Sequence, residues 1–225
     1  MDTTRLEELA HAYFGAKHEA RERSLAHGRL LIRHAGNAIR AVHRRDWPGA
    51  EGLLAQAANE VATVKAALAD LPELYYHNAV TDAFKEYAEA RLTLTLVRGG
   101  DLPTPDSLDV GYVAYYNGLA ETVGELRRYT LDALRRDDLI TGERVLAAMD
   151  GIYELLVTID YPDAVTGSLR RATDGVRAIL ERTRGDLTTA AGQRRLVQAL
   201  AARGVDLASG SASALPPLDE TLPGA

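Results

Sequence analysis

The chain has 225 residues, of which 46% are hydrophobic, no cysteine and a net charge of -6. The lack of cysteine excludes disulfides and thiolate metal sites. The mild negative charge argues against a generally basic nucleic-acid binder, but not against a local basic face. No apolar run approaches the roughly 18 residues of a membrane span, and the acidic start MDTTRLEELAHAYF predicts no signal peptide. We therefore expect a cytoplasmic protein with no membrane segment.

Apolar residues recur at helical spacing along the chain, and no stretch shows sustained alternation of period two. This pattern predicts an all-α fold of about seven mostly long helices. The predicted helices cover residues 3–45, 47–70, 74–97, 110–136 and 141–160, then a helix from the YPD break at 161–163 to 184, and a short helix at 188–203. DWP at 46–48 predicts a helix stop followed by a capped start, and GGDLPTPDSLD at 99–109 predicts a loop.

The domain organisation follows from the same pattern. We expect a helical domain over residues 1–187 and a C-terminal extra helix within 188–207. Residues 208–225, with the sequence ASGSASALPPLDETLPGA, have the composition of a disordered tail.

Two of the predicted helices carry rows of acidic side chains. The rows are Asp82, Glu86 and Glu89 in the helix at 74–97, and Asn117, Glu121 and Glu125 in the helix at 110–136. Spacings of three and four residues put each row on one helix face, where like charges repel. Mg²⁺ and Mn²⁺ prefer carboxylate oxygens. Two such rows that met could therefore hold a divalent cation, which would activate a water and stabilise charge on a phosphate.

The same rows have a purely structural interpretation. On the second helix the carboxylates lie opposite an apolar arc formed by Tyr112, Leu119, Val123 and Leu126. Arg128 is spaced to pair with Glu125 and with Asp132 on the same helix. This arrangement is typical of an ordinary solvated face, so the spacing alone leaves both interpretations open.

The first helix carries a basic face. From Leu25 to Arg45 the sequence has five arginines, three histidines and no acidic residue. Arg29, Arg33, Arg40 and Arg44 fall within an arc of about 60°, at about 100° per residue. Guanidinium groups in a row are suited to phosphates, so they predict a track for a nucleic-acid backbone. The alternative is a solvated face that pairs with acidic residues of neighbouring helices.

Five tyrosines form the remaining cluster: Tyr75, Tyr76, Tyr112, Tyr115 and Tyr116. Tyrosines can stack on unpaired bases, but they also serve as half-buried contacts between helices. The sequence contains no P-loop, GxGxxG, GxSxG or HExxH motif. A nucleotide-cofactor enzyme and a serine hydrolase therefore have no support.

Three segments resemble the translin family, which contains translin and its partner TRAX. They are KEYAEA at 85–90, VGELRR at 123–128 and SLRRATDGVRAILERTRGDL at 168–187, within a resemblance that runs from about 17 to 187. Glu86 and Glu89 match the two glutamates of the family's acidic segment. Glu121 stands where TRAX has an aspartate, and Glu125 matches the glutamate four residues on.

The resemblance implies an all-α homo-oligomer, a hollow octameric shell that binds single-stranded RNA or DNA. For TRAX-like members it also implies a Mg²⁺-dependent endoribonuclease. Its catalytic and metal residues would be Glu86, Glu89, Glu121 and Glu125, with the backbone held by Arg29, Arg33, Arg40 and Arg44. The alternatives are a nucleic-acid-binding oligomer without catalysis, and a helical oligomer whose charged faces only pair between subunits.

Overall fold

The computed structural model describes residues 3–203, and their regular structure consists of helices. The helices are α1 (Thr4–His43), α2 (Trp47–Ala67), α3 (Pro72–Tyr75), α4 (Asn78–Val97), α5 (Tyr112–Leu134), α6 (Leu139–Val157), α7 (Asp163–Thr166) and α8 (Leu169–Ala202). Residues 3–203 contain no strand, which confirms the predicted all-α fold. Among the helices in this range, none combines the length and apolar character needed to cross a membrane.

Short polar segments set the helix boundaries. The Asp46 carboxylate accepts a hydrogen bond from the Gly49 amide at 3.0 Å, and Pro48 lies in the first turn of α2. This confirms the stop and capped start that DWP predicts. Asp138 caps α6 in the same way, accepting from the amide of Thr141 at 3.0 Å.

Three predicted helices have wrong boundaries. The helix predicted from the 161–163 break to 184 is interrupted at Gly167 and Ser168, which both have positive φ and separate α7 from α8. The helix expected over 74–97 is interrupted at Tyr76 and His77, because His77 is extended (φ -71°, ψ 135°) and its ring nitrogen caps α4. Conversely, α8 continues without a break through the predicted gap between 184 and 188. Gly185 weakens a helix by only about 1 kcal/mol relative to alanine, and the segment has no proline to end it.

The chain divides into two compact units, Met1–Leu187 and Thr188–Ala225. The site described below lies entirely in the first unit. The domain boundaries drawn from the sequence, at 187 and 207, stay a prediction, and the predicted tail at 208–225 lies outside the described residues.

Helix α4 lies at the centre of the first unit. It packs against both α1 and α5, while α1 also packs on α2 and α5 on α6. Phe84 and Leu92 of α4 are fully buried, as are Leu31 of α1 and Leu119 of α5. Because α4 has neighbours on several sides, most of its second half is buried. A charged residue there faces protein rather than bulk water.

Candidate functional site

Three carboxylates of the two acidic rows meet between α4 and α5. Glu86 and Glu89 of α4 and Glu121 of α5 each place one carboxylate oxygen within 4.8 Å of the others. We call these residues the carboxylate cluster. The two rows therefore converge, which the spacing within each helix could not show.

A close approach of the two helix backbones brings the cluster together. A Cβ atom added to Gly118 of α5 would lie 2.7 Å from the carbonyl oxygen of Lys85 and 3.1 Å from the Ala88 Cβ. The Thr122 hydroxyl donates to the Gly118 carbonyl at 2.9 Å and approaches that of Glu89 at 3.4 Å. Glu121, three residues after Gly118, consequently lies opposite the α4 carboxylates.

Burial and neighbouring like charges raise the pKa values of the two α4 glutamates in the cluster. Glu89 is only 8% exposed. Burial, followed by the charges of Glu86, Glu121 and Glu125, raises the pKa of Glu89 to about 8. Burial also raises the pKa of Glu86, against the opposing effect of Lys85. At neutral pH, and without a further cation, the arrangement favours a protonated Glu89.

One cation of the chain already contacts the cluster. The Lys85 ammonium nitrogen lies 2.7 Å from Glu121 Oε1 and 3.9 Å from Glu86 Oε1. Lys85 directly precedes Glu86 in the KEYAEA segment, but the sequence analysis did not identify it as part of the site. It neutralises part of the cluster, and Glu89 has no such partner among the ion pairs of residues 3–203.

Glu125 is held apart from the cluster by a histidine. The His43 ring donates from Nε2 to Glu125 Oε2 at 2.5 Å, and the His43 side chain is only 4% exposed. This hydrogen bond is the main cause of the lowered pKa of Glu125. The Glu125 charge still acts on Glu89, so it lies near the cluster without joining its oxygen group.

The remaining acidic residue of the α4 row lies towards solvent. Asp82 is exposed and lines a cavity beside the cluster rather than joining the three oxygens. The rows predicted from sequence thus separate into three converging carboxylates, one carboxylate tied to α1 and one carboxylate, Asp82, that only lines the neighbouring cavity.

The arginine row of α1 is exposed along its length. Arg29, Arg33, Arg40 and Arg44 all face outward from the first unit. Within residues 3–203 none of them forms a salt bridge, and Arg40 donates to the Asn37 side chain at 2.5 Å. Salt bridges between this face and acidic residues of neighbouring helices do not occur among the described residues.

The tyrosine cluster divides into packed and exposed members. The Tyr115 hydroxyl donates to the Pro103 carbonyl at 2.6 Å and its side chain is buried. The Tyr75 ring lies 5.5 Å from that of Phe84. In contrast, Tyr76 is 79% exposed and Tyr112 is 57% exposed. Only the exposed members have ring surface available to a ligand.

Two cavities open beside the carboxylate cluster. The larger, of about 900 Å³, lies between α4, α5, α7 and the start of α8, and Lys85 and Glu121 line it. The smaller, of about 400 Å³, is lined by Glu89, Glu121 and the α8 residues around Val176. The cluster is therefore reached from outside the first unit, although Glu89 itself is buried.

The chain has relatives of known sequence and structure, although no family model matches it. The uncharacterized protein MJ0175 of Methanocaldococcus jannaschii is 32% identical over 180 residues, which are 79% of this chain and 79% of the relative. The crystal structure of AfC3PO is 33% identical, with a TM-score of 0.79 over 84% of this chain and 98% of the other.

A structure of AfC3PO in complex with duplex RNA is 32% identical, with a TM-score of 0.78 and the same coverage, 84% and 98%. C3PO is the translin/TRAX-type complex. The matches extend over most of the chain. The chain belongs to the translin family.

Proposed function

We propose that this protein is a homo-oligomer that binds single-stranded RNA or DNA and cuts RNA with Mg²⁺. The observation that carries the proposal is the convergence of Glu86, Glu89 and Glu121, with one oxygen of each within 4.8 Å of the others. The proposal assigns this protein the activity that the resemblance to TRAX-like members implies.

The carboxylate cluster fits a divalent cation chemically. It offers three oxygen donors, the ligand type that Mg²⁺ and Mn²⁺ prefer. Burying Glu89 beside two further carboxylates is unfavourable unless a proton or a cation compensates. Glu125, oriented by His43, is the fourth residue of the proposed set and would act through a water. A Mg²⁺ ion bound there would lower the pKa of a water and stabilise charge on a phosphate.

The protein's own side chains supply the rest of the proposed mechanism. Lys85 is positioned to place its positive charge beside a phosphate oxygen, because it already lies between Glu86 and Glu121. In the metal-free protein Glu89 holds a proton at neutral pH because its pKa is about 8, and it would release that proton when a divalent cation binds. The site stays accessible to a strand through the larger cavity, which Lys85 and Glu121 line.

The arginine row is proposed as the track for the backbone of the strand. From Arg29 to Arg44 the helix rises by about 22 Å, at about 1.5 Å per residue. Exposed guanidinium groups that form no salt bridge bind phosphates in forked pairs. Binding of duplex RNA by AfC3PO supports nucleic acid as the ligand class. In the octameric shell that the resemblance implies, both the arginines and the carboxylates would face the enclosed strand.

The cleavage experiment compares two double variants that each replace two glutamates by glutamine. Glu86→Gln/Glu89→Gln removes two members of the cluster, and Glu143→Gln/Glu154→Gln removes two exposed glutamates of α6. Altering even the residues that support metal ligands commonly lowers metal affinity or activity 10- to 100-fold. Single-turnover cleavage of a labelled RNA strand with Mg²⁺ should therefore fall by more than about 100-fold in the first variant and stay unchanged in the second.

Equal cutting by both variants would remove the cluster from the mechanism. Binding to the same strand is measured in EDTA, so that loss of cutting is not confused with loss of binding.

A binding oligomer without catalysis is the second candidate, and one contact favours it. The Lys85 ammonium at 2.7 Å from Glu121 compensates carboxylate charge that a metal would otherwise neutralise. This candidate predicts salt-sensitive binding and no cleavage at any Mg²⁺ concentration. Failure to retain oligonucleotides even at low salt would exclude both candidates.

A further inference from the structure

The larger cavity lies beside the carboxylate cluster and is partly open to solvent. It measures about 900 Å³, within the roughly 300–1,000 Å³ of sites that hold small molecules. Lys85 and Glu121 belong both to its wall and to the carboxylate contacts. A molecule in the cavity would therefore lie directly beside the proposed cleavage site.

Arg171 provides an unpaired cation in the cavity wall. It lies in the first turn of α8, is exposed, and forms no salt bridge or side-chain hydrogen bond within residues 3–203. Its neighbour Arg170, by contrast, is bonded to Asp160 at 2.5 Å. A guanidinium group without a protein partner, lining a cavity, is suited to a phosphate oxygen.

Tyr76 provides an aromatic surface at the same cavity. Its side chain is 79% exposed, against 57% for Tyr112. It lies at the break between α3 and α4, and it lines the cavity whereas Tyr112 does not. An exposed tyrosine ring has a free face on which a base stacks.

Asn117 adds a fixed hydrogen-bond acceptor. Its amide nitrogen donates to the carbonyl oxygens of Val113 and Thr166, both at 2.9 Å. These two bonds use both amide protons and fix the orientation of the group. The side-chain carbonyl oxygen is left as an acceptor in a residue that lines the cavity. A cavity with a cation, an aromatic ring and a fixed acceptor matches a nucleotide.

We propose that this cavity holds one unpaired nucleotide of the bound strand, next to the bond that is cut. Arg171 binds its phosphate, Tyr76 stacks on its base, and the Asn117 carbonyl accepts from the base edge. This inference rests on the proposed function, since it assigns a position to part of the same strand. It also makes a single strand, rather than a perfect duplex, the form that the cavity accepts.

The charges of the wall favour a nucleotide over a free phosphate ion. Asp82 and Glu121 balance Lys85 and Arg171, so the wall has no net positive charge for a dianion. A phosphodiester carries a single negative charge, and its neutral base gains from stacking and hydrogen bonds. A base that is already paired and stacked in a duplex presents neither its face to Tyr76 nor its pairing edge to Asn117.

Binding measurements on the full-length chain in EDTA test the assignment without cleavage. The probes are a labelled 12-nucleotide thymidine strand, a strand of the same length with abasic units, and a blunt 12-base-pair duplex. Arg171→Gln should weaken binding of both single strands by about tenfold, because the phosphate is common to them. Tyr76→Ala should weaken only the thymidine strand, by about tenfold, because stacking needs a base.

Matched variants control for exposure and residue type. Arg177→Gln removes another exposed arginine of α8, and Tyr112→Ala removes the exposed tyrosine outside the cavity. Both should bind the three probes as the unaltered protein does, and duplex binding should be indifferent to Tyr76→Ala. Thermal unfolding verifies that all four variants remain folded.

Two outcomes separate this inference from the proposed function. If Arg171→Gln and Tyr76→Ala bind all probes like their controls, the nucleotide site is wrong, while metal-dependent cutting by the cluster can still be observed. If both variants lose affinity as expected but the unaltered protein never cuts RNA, the nucleotide site holds and the cleavage proposal fails.

Discussion

The carboxylate cluster and the arginine row are opposite in more than the sign of their charge. The cluster draws on two helices, and its member Glu89 is 8% exposed with a pKa of about 8. The arginines lie on one helix, exposed and without ion pairs within residues 3–203. Ionising all three carboxylates of the cluster therefore costs free energy, because one of them is buried beside like charges. The arginines are exposed to water, so their charges cost little.

This difference indicates how each region would act on a polyanion. Exposed arginines need no rearrangement to bind phosphates, and their effect is screened by salt. The buried glutamate responds to protons and cations, because either one relieves the repulsion inside the cluster. The first region suits attachment of a strand, and the second suits chemistry that depends on metal and pH.

The largest effect on stability is expected when the buried carboxylate of the cluster is replaced. Since the folded-state pKa of Glu89 is about 8, raised from its ordinary value of 4.5, the folded protein binds a proton that the unfolded chain has released. This contribution to stability is full below pH 4.5 and is lost as the pH rises to about 8. The Glu89→Gln variant has no such carboxylate, so it avoids this loss of unfolding free energy, which is on the order of a few kcal/mol.

Chemical unfolding between pH 5 and 9, in EDTA, measures this effect. Glu89→Gln should be more stable than the unaltered protein at pH 9, and the difference should shrink towards pH 5. Glu143→Gln, at an exposed glutamate of α6, should leave the pH profile unchanged. Parallel profiles for Glu89→Gln and the unaltered protein would mean that Glu89 ionises normally. Adding Mn²⁺ should stabilise the unaltered protein more at pH 8 than at pH 6, because metal and proton compete.

The sequence predicted the two acidic rows but not the contact between them. Spacing along one helix fixes which side chains share a face, so the acidic rows of α4 and α5 and the arginine row of α1 were each predictable. Whether two faces meet depends on the distance between helix axes, and here that distance depends on Gly118 and Ala88. Gly118, three residues before Glu121, is visible in the sequence, but it has no partner there to indicate a close approach.

Two other features depended on contacts between distant residues. In sequence, no metal-ligand spacing connects His43 to another histidine, and nothing indicates its partner. Its bond to Glu125 spans 82 positions in sequence, and that bond keeps Glu125 out of the cluster. The break at His77 was missed because the helical pattern continues on both sides, while the capping of α4 by His77 is a local backbone event.

An intermediate loss of stability and of cleavage is expected when α4 and α5 are forced apart. In Gly118→Ala the new Cβ would lie 2.7 Å from the Lys85 carbonyl oxygen, which is backbone and cannot rotate away. Overpacking of this kind destabilises a protein by about 1–3 kcal/mol. The displaced α5 would also move Glu121 from the α4 carboxylates, so RNA cleavage should fall by more than the stability loss alone explains.

Gly124→Ala is the matched control, because Gly124 lies on the same helix and an added Cβ meets nothing within 4 Å. It should be neutral or stabilise by up to about 1 kcal/mol, as expected for glycine in a helix. Denaturant unfolding and single-turnover cleavage are measured for both variants. Equal stability of the two would show that α4 and α5 have room for the methyl group, and that another contact sets their distance.

The smallest effect is expected from the arginine row, and it sharpens the contrast with the cluster. Arg29→Gln/Arg33→Gln removes two exposed charges that have no partner within residues 3–203, so stability should change by less than about 0.5 kcal/mol. If both contact phosphates, the slope of log affinity against log salt for a single strand becomes shallower by about 1.4, at about 0.7 per phosphate. Arg177→Gln/Arg182→Gln on α8 should leave the slope unchanged.

The pH profile of unfolding should be the same in both double variants, because neither pair affects the environment of Glu89. A change in that profile would mean that the row and the cluster are electrostatically coupled, and attachment and chemistry could then no longer be assigned to separate regions.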